Sequence, residues 1–207
     1  MLVAATLHGT DAFPTVDGEA LVNTPRLVNG AVADAVITSL RARGLVGPDS
    51  VGRLVPTGML AGIVDLATAP DLVVWIERGE GDGLRGWWFG VRTDAALQLS
   101  VGVDGARDTA RLDPHDVVDH VLALVAAAPG LSTITVLWHA DTRVEGGTFA
   151  WSVSPDGAVS AGDELVPDDA GGSTWRLRDA EIGALRSLLL GYLPAAWTSE
   201  FSGSEVG

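Results

Sequence analysis

Six residues near the middle of the chain, His115-Asp116-Val117-Val118-Asp119-His120, combine the side chains that bind metals and move protons. On a helix, a spacing of four stacks His115 over Asp119 and Asp116 over His120, so each His/Asp pair shares one face. A transition-metal centre needs three or four such ligands. The other histidines are His8 and His139. A metal-dependent hydrolase using His115, Asp119 and His120 is therefore the catalytic alternative. The structural reading is preferred, because the group opens a helix, where carboxylates satisfy orphan amides and complement the dipole.

The remaining candidates for chemistry fail on residue type. Cysteine is absent, which excludes a disulfide framework, a thiolate nucleophile and a thiolate zinc site. There is no Gly-x-Ser-x-Gly elbow and no serine beside an obvious base. His139, with Asp141 nearby, ends a core strand without a partner nucleophile. Gly79-Glu80-Gly81-Asp82-Gly83 has the glycine content of a phosphate loop, yet it places two carboxylates where the phosphate would sit. It reads as a mobile hairpin loop that could grip a partner. Gly162-Asp163-Glu164 to Asp168-Asp169 offers oxygen ligands without an EF-hand register, and reads as a solvated acidic loop. No catalytic residue, metal or cofactor is assigned.

Composition narrows the partners. Apolar residues are 47% and charged residues 19%, a globular balance with enough core for 207 residues as a single domain. The 27 acidic and 13 basic residues give a net charge of −14, which opposes binding to nucleic acid or anionic lipid. Every basic residue is arginine. No apolar run reaches the roughly 18 residues of a membrane span, and the start lacks the basic region of a signal peptide. The cytoplasm is the expected location.

The elements that must position these residues follow from periodicity and punctuation. Residues 1–30 read as an irregular start with one or two short strands. A helix is expected over 32–43, stopped by Gly44, and a second over 57–67, with Leu60, Ile63, Val64 and Ala67 on one face. Strands follow at 72–77, 85–92, 96–103 and 107–112. Asp113 then caps a helix with Pro114 in its first turn and a stripe of Val117, Val118, Val121, Leu122 and Val125. The order recurs with strands at 133–139, 148–153, 158–160 and 174–177 and a helix over 179–192. The expected fold is α+β, a pseudo-twofold repeat of antiparallel meander plus helix at about 71–127 and 131–192 with two extra N-terminal helices. Residues 197–207 form a flexible tail.

Most tryptophans lie on these strands. Alternation puts Trp87 and Trp88 on opposite sides of the sheet. If helices cover one side alone, the other presents aromatic rings to a partner. If a second layer exists, both sides are buried.

Four segments give a resemblance: Ser39-Leu40-Arg41-Ala42-Arg43-Gly44-Leu45, Leu66-Ala67-Thr68-Ala69-Pro70-Asp71, Gly90-Val91-Arg92-Thr93 and Thr148-Phe149-Ala150-Trp151. In their order along residues 33–192 the chain resembles the EspG family, the cytosolic chaperones of actinobacterial type VII (ESX) secretion. It departs from the family in length and in the short 126–131 connection between its halves. The resemblance implies a quasi-twofold α+β fold and a partner that is a helical secretion substrate, of PE/PPE or WxG type. The leading expectation is a cytosolic chaperone or adaptor that binds through Glu80, Asp82, Trp87, Phe89 and Trp151. An immunity or regulatory protein that covers a basic partner is the further alternative.

Overall fold

Gly44 and Pro70 punctuate the first part of the chain. The computed structural model describes residues 37–103, 107–140, 143–168, 172–181, 183–195 and 197–198. The expected strands before residue 31, the start of the helix over 32–43 and residues 199–207 of the expected tail lie outside them. Trp197, expected in that flexible tail, is instead buried in the core cluster, its backbone N–H bonded to the Pro194 carbonyl at 2.9 Å. The chain divides into two compact units between Pro70 and Asp71.

In the first unit, residues 37–42 are helical. Gly44 ends that helix at φ +67, with its N–H bonded to the Arg41 carbonyl and the Leu45 N–H bonded to the Leu40 carbonyl. That pair of bonds is a Schellman stop, which needs a left-handed residue at the glycine position. A short hairpin of β1 (Val46–Pro48) and β2 (Leu54–Pro56) follows, and α1 (Gly58–Thr68) buries Val64, Leu66 and Ala67.

The second unit is built on one antiparallel sheet. Its strands are β3 (Leu72–Glu80), β4 (Gly83–Arg92), β5 (Ala95–Val101), β6 (Arg107–Leu112), β7 (Gly130–Ala140), β8 (Arg143–Val153), β9 (Val159–Gly162) and the two-residue β12 (Arg178–Asp179). They lie in the order β12-β9-β8-β7-β3-β4-β5-β6, every neighbour antiparallel. A separate hairpin, β10 (Leu165–Pro167) with β11 (Ser173–Trp175), occupies the region expected as an acidic loop. A 3-10 turn (Pro114–Asp116) leads into α2 (Val117–Ala126), and α3 (Ala184–Gly191) follows β12. The protein is thus α+β with a large antiparallel sheet and few helices. Among the described residues no helix is long and apolar enough to cross a membrane.

Register fixes which side chains share a face. Val74 stands opposite Phe89 and Val136, and Ile134 opposite Phe149. These residues, with Leu72, Ile76, Trp87 and Trp151, form one buried cluster with Val117, Val118, Val121 and Val125 of α2 and Leu185 and Leu189 of α3. The apolar stripes of both helices therefore cover the same face of the sheet. Arg186 of α3 donates to Asp119 of α2 at 2.5 Å, tying the two together.

Two departures from the expected elements have local causes. The glycine-rich run 79–83 is a hairpin end with a shorter loop than expected: Glu80 pairs with Gly83, and only Gly81 and Asp82 form the turn. Gly81 takes φ +59, the left-handed backbone that tight hairpins demand. The last helix begins at Ala184 instead of 179, because Arg178 and Asp179 pair with Ala161 and Ser160 as an edge strand.

Candidate functional site

The residues expected to bind a partner fall into two groups. Trp87, Phe89 and Trp151 lie in the cluster beneath α2 and α3, and Phe89 and Trp151 are fully buried. They are core residues, which corrects the expectation that they form an exposed aromatic surface. The Trp151 indole N–H is buried without an acceptor among the described residues, so packing alone holds the ring. Glu80 and Asp82 are exposed at the hairpin end, where Glu80 faces Arg85 at 2.8 Å.

The far face of the sheet, opposite the helices, is divided. Over β4 and β5 it carries Trp88, Ala95, Leu97 and Leu99, all buried. Over β3, β7 and β8 it is partly open, with Ala150, opposite Thr133, fully buried. Register places Trp75 beside Thr135, which pairs with Thr148, and Val73 beside Leu137, which pairs with Gly146. Trp75, Val73, Thr133, Thr135 and Thr148 are half-buried, while Leu131, Leu137 and Val144 are 42%, 38% and 62% exposed. Thr135 and Thr148 bond to each other through their hydroxyls at 3.0 Å, which satisfies one of their two O–H donors. The result is a strip of leucine, valine, threonine and tryptophan about 20 Å long from Leu131 to Leu137, at about 3.3 Å per residue.

One charge lies on this strip. Glu77 sits on the same face between Thr133 and Gly86, half-buried, and among the described residues it has no ion-pair or hydrogen-bond partner. A half-buried carboxylate of this kind favours a cation from a partner. Compared with known proteins, the chain matches no family model, and no curated protein matches it as a relative.

The metal-ligand set is not assembled. Asp119 is taken by Arg186, His120 places Nδ1 3.1 Å from the Asp116 carbonyl, and the backbone N–H of His115 donates to the Asp113 cap at 2.9 Å. No three His, Cys, Asp or Glu side chains come together as a metal site among the described residues.

Two features that tie the sheet to its helices are not apparent from the sequence. Arg78, on the helix-covered face and 7% exposed, donates from Nε to Ser132 Oγ at 3.0 Å, and from one terminal nitrogen to the Leu124 and Val125 carbonyls at 2.7 and 3.0 Å. It thereby satisfies the C-terminal carbonyls of α2. Its guanidinium also lies 5.5 Å from the centre of the Trp87 ring. Burial lowers its pKa from the ordinary arginine value.

Tyr192, just past α3, stacks on Phe149 at 5.1 Å and lies over Gly147, where any Cβ would collide with its ring. Gly147→Ala should cost about 1–3 kcal/mol through the displaced ring, measurable by urea unfolding. Burial first, and then the Asp163 carboxylate that accepts from its hydroxyl, push the Tyr192 phenol above its ordinary value. The unfolded chain ionises this group near pH 10 and the folded chain at higher pH. Its contribution to stability is therefore intact below about pH 10 and is lost as pH rises through the raised value. Unfolding curves followed from neutral to alkaline pH should show this loss in the native protein and a flatter limb in Tyr192→Phe. An identical limb in both proteins would contradict the assignment.

Proposed function

We propose that the chain is a cytoplasmic chaperone or adaptor that holds a helical secretion substrate against the open half of its sheet. The single observation that carries this reading is the strip of Trp75, Val73, Leu137 and Val144 on a sheet braced from behind by two helices. Sheet faces of this kind are ordinarily covered by helices. A length of about 20 Å matches about 13 residues of helix at 1.5 Å each. A partner of that form would need an apolar stripe for Trp75 and Leu137 and a lysine or arginine placed to meet Glu77.

The resemblance to the EspG family supports the same function class, and the strand order agrees with its quasi-twofold character. Read outward from the central β3–β7 pair, one side runs β3-β4-β5-β6 and then α2, and the other β7-β8-β9-β12 and then α3.

Co-expression with the helical-hairpin secretion substrates encoded in its own locus tests the function. A soluble heteromer with at least one of them is expected. Failure with all of them, while the chain itself remains folded, would overturn the proposal.

A further inference from the structure

A cavity of about 160 Å³ opens at the other end of the sheet, where β9, the β10–β11 hairpin and α3 meet. Its apolar wall is Phe149 and Leu188, and its polar wall is Asp163, Glu164, Arg176 and Arg178. The four charges are not equivalent. Glu164 is held by Arg176 at 2.6 Å. Asp163 accepts the Tyr192 hydroxyl. Arg178 has no ion-pair or hydrogen-bond partner among the described residues, so one guanidinium remains for a ligand.

We infer that this cavity binds a monocarboxylate with a compact apolar body. The guanidinium of Arg178 meets the carboxylate, a pairing for which its planar fork is suited, and the body rests against Phe149 and Leu188. A cavity of about 150 Å³ accommodates a benzene ring, which sets the size of the body. The Asp163 carboxylate repels a dianion more strongly than a monoanion, which favours a single carboxylate over phosphate. The same chemistry is presented by a free aromatic or branched acid and by the C-terminal residue of a peptide. The inference stands apart from the sheet-face reading and needs nothing from it.

The test is titration of the full chain with benzoate and with N-acetyl-leucine, each against its neutral amide, followed by NMR. Saturable shifts at Leu188 are expected for an acid, with the acid bound about tenfold or more tightly than its amide, as a charge-assisted hydrogen bond provides. Arg178→Gln should erase that preference, and Arg178→Lys should keep part of it. Binding of benzoate alone identifies a free acid as the ligand, and binding of N-acetyl-leucine alone identifies a chain terminus. No saturable binding of either acid at millimolar concentration, equal affinity for acid and amide, or unchanged acid binding in Arg178→Gln would each overturn the inference.

Discussion

Replacing Arg78 with alanine should destabilise the second unit by about 3–4 kcal/mol, among the largest effects of any single polar residue. The reason is what the substitution leaves behind. Ser132, itself 1% exposed, loses its bond, and the part-buried Leu124 and buried Val125 carbonyls at the end of α2 lose their donor. Each unsatisfied buried group costs about 1–3 kcal/mol, and the three do not add fully because they share one donor. Arg78→Lys keeps a charge but has no fork to reach Ser132 and the helix end together, so about half of the loss should remain. Urea unfolding of the two variants checks this. Equal stability of Arg78→Ala and the native protein would show that the bonds contribute nothing net.

The second large effect separates core from surface among aromatic residues two to fourteen positions apart. Trp87→Ala and Phe89→Ala should each cost about 3–5 kcal/mol, the usual penalty for emptying a fully packed aromatic site. Trp75→Ala, on the half-open far face, should cost about 1 kcal/mol or less beyond its packing against Thr135 and Trp88. The partner-binding defect should follow the opposite order. Trp75→Ala weakens the complex while the chain stays folded. Trp87→Ala and Phe89→Ala act through stability, and binding recovers in whatever fraction remains native. Melting curves recorded beside binding measurements distinguish the two classes.

Much of the architecture was legible from local signals. Gly44 announced the Schellman stop, Asp113 and Pro114 announced the start of the turn into α2, and the alternation of Val, Ile and Trp announced β3 and β4. Where local composition and long-range pairing disagree, pairing prevails. Gly79 and Glu80 have loop composition, yet the β3–β4 ladder carries them as strand to a two-residue turn. Arg178 and Asp179 have the look of a helix start, yet β9 captures them as an edge.

The candidate site was half legible. Parity alone places Trp87 and Trp88 on opposite faces. It does not say which face the helices cover, because that depends on where α2 and α3 return to the sheet. Trp75 joins the far face only through its register with Trp88 and Thr135, a pairing that spans 60 residues of sequence between Trp75 and Thr135. Arg78 reads as an ordinary strand residue, since Ser132 lies 54 residues away and Leu124 lies 46. No window of sequence contains the donor and its acceptors together.

The central claim is that the open strip over β3, β7 and β8 is where a helical partner binds. Its most direct test is size-exclusion chromatography of the chain co-expressed with a substrate from its own locus, comparing the native protein with a Trp75→Ala, Leu137→Ser double variant shown by its melting curve to be folded at the working temperature. A heteromer for the native chain and its loss in the variant is the predicted result. A heteromer that persists undiminished in the folded variant would contradict the claim.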